Sequence, residues 1–292
     1  MMKNCINRLF VLIFVVILFF GSKTYAQFDS LMFITSGYLR LQPVIYMGDQ
    51  NNDGCDDFII CKMDDNSQYA NWGYAYFYYG GNPVPQTPAF RIRIYNPLLI
   101  TACDLNGDGY RDIINHIGGY PEPVYRYNIY YGGPDLDTIP DYVLTLPDST
   151  VAAFFVGKMW AIDFDGDGRE ELVYLTGVID KICFIKNFEE NEPLEYYFIP
   201  RIGSMYYSEA RIFSSDLDGD GKSDITTVAS DVTGLKLLRF YYGNSSFDFS
   251  EYYEFSSDTV FHPEEYFLLN DMNGDGKGEI MVYLPPSTVS GG

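Results

Sequence analysis

The sequence DLDGDGKSD, residues 216–224, contains the pattern that recurs throughout the chain. Acidic side chains stand at positions 1, 3, 5 and 9 of this stretch, and a glycine stands at position 6. A glycine there permits the positive φ of a sharp turn, and the alternating oxygen-bearing side chains can then face one point. The first residues of the five copies are separated by 55, 59, 53 and 55 positions. We number these loops 1 to 5, and they occupy residues 49–57, 104–112, 163–171, 216–224 and 271–279.

The segments between the loops also repeat. Apolar stretches flank every loop, as Leu98–Ala102 and Ile113–Ile114 flank loop 2. Three repeats then carry an aromatic stretch that ends in glycine, at residues 76–80, 129–132 and 240–243, whereas repeat three has Cys183-Phe-Ile-Lys-Asn187 in that place. A fourth apolar stretch follows, and no segment has a sustained helical period. Four short strands in each unit of about 55 residues predict an all-β fold, a β-propeller of four-stranded blades stacked on one another.

The loops also predict metal binding. Their ligand positions hold 17 of the 40 acidic residues of the chain. Carboxylates packed this closely repel one another unless a cation lies between them, whereas a solvated acidic turn, the alternative, has no need of this spacing. Side-chain oxygens, a main-chain oxygen at position 7 and a position-9 carboxylate able to bind through both oxygens favour Ca²⁺ over the strictly octahedral Mg²⁺. Loop 1 fits least well, because Cys55 occupies position 7 and Asp56 crowds the site. The candidate ligands are Asp49, Asn51, Asp53, Asp57, Asp104, Asn106, Asp108, Asp112, Asp163, Asp165, Asp167, Glu171, Asp216, Asp218, Asp220, Asp224, Asp271, Asn273, Asp275 and Glu279.

The loops are not EF-hands, because position 12 lacks the bidentate Glu and each loop leads into a strand. The loop motif, followed by Tyr-Tyr-Gly, resembles the FG-GAP and VCBS repeats over residues 41–284. This resemblance implies an integrin α-type β-propeller with calcium in the loop between the first two strands of each blade. Glu171 and Glu279, where Asp is usual, depart from the family pattern, as does the third repeat. Such propellers usually have seven blades, so five repeats predict an incomplete or truncated ring, unless Phe28–Leu41 supplies a closing strand.

The first 26 residues predict an export signal. Lys3 and Arg8 precede an apolar run from Leu9 to Phe20, which is too short to cross a bilayer comfortably, although an uncleaved anchor is the alternative. Residues 27–292 then form the repeat domain, with no membrane span, located in the periplasm, on the cell surface or in the medium. A net charge of −21 disfavours nucleic acid and anionic membranes as partners. The cysteines of this domain show no CxxC spacing and are expected to be mostly free, partly buried thiols.

Two functions fit these features. The preferred hypothesis is a binding or adhesion module for an extracellular protein or carbohydrate, as the family resemblance implies. The alternative is a polysaccharide lyase or hydrolase built on a calcium-stabilised propeller, which needs an acid–base group in a cleft. The chain has only His116 and His262, and no Gly-x-Ser-x-Gly motif. The sequence therefore offers no catalytic residues, and we expect a protein that is not an enzyme.

Overall fold

The computed structural model describes residues 44–63, 72–96, 99–117, 126–146, 159–176, 181–188, 193–199, 212–230, 236–257 and 266–282. All of them belong to one unit, Thr35–Gly292. The predicted export signal, the candidate strand Phe28–Leu41 and His262 lie outside the described residues. Within this part of the chain, no helix has the length and hydropathy needed to cross a membrane.

The described residues form strands and no α-helix, which confirms the all-β prediction. Four antiparallel sheets of four strands, sheets 1 to 4, are followed by a two-stranded sheet 5. The strands are, in sheet 1, β1 (Val44–Gly48), β2 (Asp57–Met63), β3 (Trp72–Tyr78) and β4 (Phe90–Tyr95); in sheet 2, β5 (Thr101–Cys103), β6 (Asp112–His116), β7 (Arg126–Tyr130) and β8 (Tyr142–Thr145); in sheet 3, β9 (Trp160–Ile162), β10 (Glu171–Thr176), β11 (Lys181–Lys186) and β12 (Glu195–Ile199); in sheet 4, β13 (Phe213–Ser215), β14 (Asp224–Ser230), β15 (Lys236–Tyr241) and β16 (Tyr253–Ser257); and in sheet 5, β17 (Tyr266–Leu269) and β18 (Glu279–Val282).

Each four-stranded sheet is a meander in which strands consecutive in sequence pair with one another. Each numbered loop joins the first two strands of its own sheet. The register repeats as well as the strand order, because in sheets 1 to 4 the residue after position 9 pairs with an equivalent residue of the third strand. These pairs are Phe58 with Tyr78, Ile113 with Tyr130, Leu172 with Ile185 and Ile225 with Tyr241. The four-strand repeat predicted from the sequence is therefore confirmed in sheets 1 to 4.

Successive side chains along the second strand of a sheet enter different cores, as the twofold alternation of a β-strand requires. Ile113 packs into the core between sheets 1 and 2, and Ile114 into the core between sheets 2 and 3. In sheet 3, Leu172 faces sheet 2 and Val173 faces sheet 4. The sheets are thus stacked face to face, and sheets 2 and 3 bury both faces. Full burial of an aliphatic or aromatic side chain in these cores contributes about 1.5–3 kcal/mol.

The first strands of neighbouring sheets lie beside one another, β1 next to β5, β5 next to β9, and β13 next to β17. The Thr101 hydroxyl in β5 donates a 2.8 Å hydrogen bond to the carbonyl oxygen of Met159, and Ser215 donates in the same way to Leu269 over 3.1 Å. Because every numbered loop leaves the end of a first strand, this arrangement brings the loops of successive sheets together.

The cysteines of the described residues are free, as expected. Cys61, Cys103 and Cys183 are buried in the cores, and Cys55 is half-buried in loop 1. Burial raises the pKa of Cys61 and of Cys183 to about 12, so these thiols remain protonated at neutral pH.

Candidate metal centres

The Asp at position 1 organises every loop. In loop 2, Asp104 Oδ2 accepts a 2.9 Å hydrogen bond from the backbone N–H of Gly109 at position 6, and Oδ1 accepts one of 2.8 Å from Gly107. The bond to position 6 is present in all five loops. The position-6 glycines have φ values between 86° and 88°, a region that other residues rarely adopt. The sequence prediction that this glycine forms the turn agrees with the structure.

Positions 3 and 5 close the turn. The backbone N–H of position 5 donates to the side-chain oxygen of position 3 in every loop, over 2.9–3.2 Å. One oxygen of the position-5 Asp accepts the N–H of position 7 in every loop, over 2.8–3.0 Å. These bonds aim the side chains of positions 1, 3 and 5 toward the inside of the turn. At position 1 of loops 2, 4 and 5, Oδ1 accepts the N–H groups of positions 4 and 5, whereas Oδ2 accepts only that of position 6 and keeps a lone pair for a further partner.

Position 9 has a different environment, because it lies in the second strand and its side chain is buried in loops 1 to 4. Asp112 accepts two 2.8 Å hydrogen bonds, one from the backbone N–H of Leu105 at position 2 and one from Gly132 at the end of β7. Asp57 and Asp224 make the same pair of bonds in their own repeats. This carboxylate therefore fastens the loop to its own sheet, a role that the sequence did not reveal.

Burial dominates the ionisation of these carboxyls. It raises the pKa of Asp112 to about 7 and that of Asp224 to about 6, against the lowering effect of the two backbone N–H donors. A buried carboxylate with a raised pKa is destabilised as an anion. A cation beside it would reverse that shift.

Three loops bring together three carboxyl groups with one oxygen each within 4.8 Å of one another. Loops 1 and 2, whose residues are all described, do not assemble such a group, whereas loop 5 does so although Asn273 places an amide at its position 3 as well. The predicted ligands are thus brought together most closely in loops 3, 4 and 5, where a metal ion could be held. The groups are Asp163, Asp165 and Glu171; Asp216, Asp218 and Asp224; and Asp271, Asp275 and Glu279.

Loop 1 is less crowded than its sequence implied. The carboxylate of Asp56 is exposed and accepts a 3.0 Å hydrogen bond from the hydroxyl of Tyr46. The backbone N–H of Cys55 donates to Asp53 over 2.8 Å, as position 7 does in the other loops. Loop 1 therefore has the same bonds from positions 5, 6 and 7 as the other loops, but not the bond from the position-4 N–H to the position-1 carboxylate that loops 2 to 5 have.

Neighbouring loops are joined by a contact that the sequence did not predict. The backbone N–H of position 8 donates to the carbonyl oxygen of position 1 in the preceding loop. The pairs are Glu170 to Asp104 over 2.8 Å, Ser223 to Asp163 over 2.9 Å, and Gly278 to Asp216 over 2.5 Å. The Glu170 carboxylate also accepts the N–H of Asp104 over 2.8 Å. Loops 2 to 5 are therefore linked in sequence along the stack.

Side chains at position 7 reinforce this link by lying over position 4 of the preceding loop. A Cβ on Gly107 would be 2.8 Å from Arg169, and one on Gly166 would be 2.7 Å from Lys222. Between loops 1 and 2 the contact is polar, since Asn52 donates to the hydroxyl of Tyr110 over 2.5 Å. Position 7 was predicted to contribute only its carbonyl oxygen, and its varied side chains form this contact in addition.

Loop 3 differs from the others because a basic side chain enters it. The ammonium of Lys186, the last residue of β11, contacts Asp165 and lies 2.7 Å from Asp167 and 3.9 Å from Glu171. Burial raises the pKa of Glu171 to about 8. Burial alone would lower the pKa of Lys186, but its hydrogen bonds with Asp165 and Asp167 outweigh that effect and raise the pKa above its usual value.

His116 belongs to the core and not to a cleft. Its ring lies between Tyr95 and Tyr127, with centroids 5.5 and 4.9 Å away, and the residue is 5% exposed. Burial lowers its pKa to about 4, so the imidazole is neutral at physiological pH. These contacts fit a packing role.

No family model matches the chain, and no curated protein matches it at a significant level of similarity. The likeness to the FG-GAP and VCBS repeats is therefore carried by the loop motif and the Tyr-Tyr-Gly stretches alone. Functional conclusions depend on the geometry of the loops.

Proposed function

We propose that this chain is an exported, calcium-binding repeat protein of the β-propeller type that acts as a binding module outside the cytoplasm. One observation carries the proposal. A loop with the same internal hydrogen bonds occurs at the same place in all five sheets, and its oxygen atoms are directed toward the inside of the turn. Hydrogen bonding to the backbone explains the oxygen atoms at positions 1, 3, 5 and 9, but three or four carboxylates in one turn repel one another and also need positive charge between them.

Calcium is the ion that such a loop suits best. Carboxylates, amides and a main-chain carbonyl are hard oxygen donors, and calcium accepts six to eight of them in flexible geometry. Magnesium requires a near-ideal octahedron and retains its waters. The loops differ in their number of carboxylates and in using Asn or Asp at position 3, and calcium tolerates that variation more readily.

The ion's main effect would be on stability. A site with a Kd of about 0.1 mM in a medium with about 1 mM calcium stabilises the folded state by about 1.4 kcal/mol. Because position 8 of one loop bonds to position 1 of the loop before it, ordering one loop also holds its neighbour. Calcium would therefore stabilise the contacts between sheets as well as the turn that binds it.

The stacking supports the propeller arrangement. Consecutive meander sheets pack face to face, with their first strands side by side, which is the relation of neighbouring blades around an axis. The position-10 side chain of each inner sheet faces the preceding sheet, and the position-11 side chain faces the next one. Sheets 1 to 4 thus follow one another with the same orientation in the stack.

A surface at the start of the stack supports a binding role. On the outer face of sheet 1, the guanidinium of Arg91 lies 4.3 Å from the ring centroid of Tyr74, and that of Arg93 lies 4.7 Å from Trp72. Tyr46, on the neighbouring part of the face, is 58% exposed. Aromatic rings with arginine beside them suit sugar rings that carry carboxylate groups, because the rings stack on sugars and the guanidinium pairs with the acid.

Calcium titration of the purified protein by calorimetry, with magnesium as the control, tests the ion. We expect several calcium ions to bind and at most weak heats from magnesium. Chelation should lower the melting temperature by about 3–6 °C for each occupied site, given the stabilisation above. An unchanged melt together with no heat of calcium binding would refute the proposal.

The binding role needs a separate test. The protein, in calcium, is applied to an array of acidic and neutral glycans and extracellular proteins, beside a Trp72→Ala variant. We expect retention on acidic glycans that Trp72→Ala weakens without changing the melting temperature by more than a few degrees. Equal retention of both proteins would remove the outer face of sheet 1 from the proposal.

A further inference from the structure

We propose that loop 3 is not a metal site, because the ammonium of Lys186 occupies the position that an ion takes in the other loops. The inference deepens the proposed function and rests on calcium binding by loops 1, 2, 4 and 5. It assigns Lys186 as the residue that makes one of five similar loops independent of calcium.

The first argument is the geometry of the ammonium group. Its three acidic neighbours, Asp165, Asp167 and Glu171, stand at positions 3, 5 and 9, which are three of the four side-chain positions expected to ligate an ion. The side chains of Asp165 and Glu171 are buried, with exposures of 6% and 1%, whereas Lys186 is 19% and Asp167 37% exposed. The ammonium also lies 5.7 Å from the ring centroid of Phe247, in the connection between β15 and β16 of sheet 4. The lysine is therefore half-buried where sheets 3 and 4 meet.

The second argument comes from comparing the repeats of this chain with one another. Lys186 follows the residue that pairs with position 10, so it is equivalent to Tyr79, Tyr131 and Tyr242 of the other sheets. The next residue, Asn187, is equivalent to Gly80, Gly132 and Gly243, and it has a φ of 67°. Position 9 is Glu171 in place of Asp57, Asp112 and Asp224. Among sheets 1 to 4, three neighbouring positions have thus changed together in repeat three; loop 5 also has a glutamate at position 9, Glu279, but belongs to the two-stranded sheet 5.

These three changes have one structural consequence. In repeats one, two and four, the second oxygen of the position-9 Asp accepts the N–H of the glycine at the end of the third strand, over 2.6–2.8 Å. Glu171 keeps the other bond, from the N–H of Phe164 over 2.9 Å, while its second oxygen faces Lys186. In repeat three, the second oxygen of the longer glutamate side chain therefore faces the ammonium of Lys186, where the Asp of the other repeats accepts a backbone N–H. Repeat three therefore differs at several neighbouring positions that together accommodate a lysine, and not only at the position of the lysine itself.

Lys222 in loop 4 provides the contrast. It stands at position 7 and contacts only Asp220 among the acidic residues of its loop, with 29% of its side chain exposed. Asp216, Asp218 and Asp224 keep their oxygens close together without it. A lysine at the rim can be displaced by an ion at little cost, because surface ion pairs contribute only about 0–1 kcal/mol. Loop 4 therefore remains a candidate ion site although it also has a lysine.

The test is the number of calcium ions bound, measured by native mass spectrometry and calorimetry on the full protein. Lys186→Gln should bind one more calcium ion than the wild type. Lys181→Gln is the matched control, since it removes the same charge from the other end of β11, where Lys181 lies over Phe198, 5.6 Å from the ring centroid. This control should bind the wild-type number.

A second pair of variants covers the case in which Lys186→Gln fails to fold. Asp167→Ala and Asp220→Ala both remove position 5, in loops 3 and 4. We expect Asp220→Ala to lose one calcium ion and Asp167→Ala to lose none. Equal losses, or equal ion numbers in Lys186→Gln and the wild type, would overturn the inference while leaving the proposed function intact. Absence of calcium binding by every protein in the set would overturn both.

Discussion

Loop 2 has a buried carboxylate at position 9 and an exposed one at position 5, and the effect of replacing each by alanine should depend differently on calcium. Asp112→Ala removes the acceptor of two backbone N–H groups, those of Leu105 and Gly132, at a fully buried position. Each buried donor left without a partner costs about 1–3 kcal/mol, and relief of the burial of an acid whose pKa is raised to about 7 offsets part of this. We expect Asp112→Ala to lower the free energy of unfolding by about 2–4 kcal/mol even with a chelator present.

Asp108→Ala should instead destabilise the protein in calcium and have little effect on its stability in chelator. Asp108 is exposed, and water can replace it as the acceptor for the N–H of Tyr110. In chelator we expect its effect to lie within about 0.5 kcal/mol, as for other surface substitutions. In about 1 mM calcium the loss of an ion site with a Kd of about 0.1 mM should cost about 1.4 kcal/mol.

Urea unfolding followed by intrinsic fluorescence, with calcium and with chelator, separates the two effects. Asp112→Asn is the matched control, because it keeps the shape of the side chain and one acceptor oxygen, and it should lie between Asp112→Ala and the wild type. The reasoning fails if the two alanine variants are equally stable in chelator. It also fails if the cost of Asp108→Ala is the same with and without calcium.

Two further predictions concern protonation and the close approach of the third strand. Burial raises the pKa of Asp112 to about 7 and of Asp224 to about 6, so their contribution to stability is complete below about pH 4 and is lost as the pH rises through these values. In chelator, the protein should therefore melt at a higher temperature at pH 5 than at pH 8. Calcium should reduce or reverse this difference. A higher melting temperature at pH 8 than at pH 5 in chelator would contradict the argument. Gly132→Ala would place a Cβ 2.5 Å from the carbonyl oxygen of Arg111 and should destabilise the protein by more than about 2 kcal/mol. The Cβ of Gly109→Ala would meet no atom within 4 Å, so this variant should cost only about 1–2 kcal/mol, because of its φ of 88°. Thermal melting measures both losses, and equal losses would exclude the contact with Arg111 as the cause.

The sequence was a good guide to structure where residues interact locally. The loop motif, its turn at position 6 and the strands on either side depend on neighbours within about ten residues, and the structure has them where they were expected. The alternation of Ile113 and Ile114 between two cores follows from the geometry of any strand buried on both faces. The four-strand period could be recognised because each unit repeats the same local pattern.

Contacts between distant residues were missed because a motif does not contain them. The bond from Glu170 to Asp104 joins residues 66 positions apart, and it becomes visible only when two sheets are stacked. The position of Lys186 in loop 3 needs the register of β10 against β11, which composition and period do not supply. The signal was nevertheless present, because the stretch that ends in Lys186 and Asn187 had already been recognised as a departure from Tyr-Tyr-Gly.

The division of labour within the loop explains how repeat three can depart from the pattern without losing its place in the stack. Positions 1 and 9 bind backbone N–H groups, and those bonds form the turn and fasten it to the sheet whether or not an ion is present. The negative charge that remains on the carboxylates of the loop needs compensation. A divalent ion can supply it from solution, and a lysine from the neighbouring strand can supply it permanently. The loop motif alone therefore indicates where positive charge is required, and the residue before the glycine of the third strand indicates whether the protein provides that charge itself.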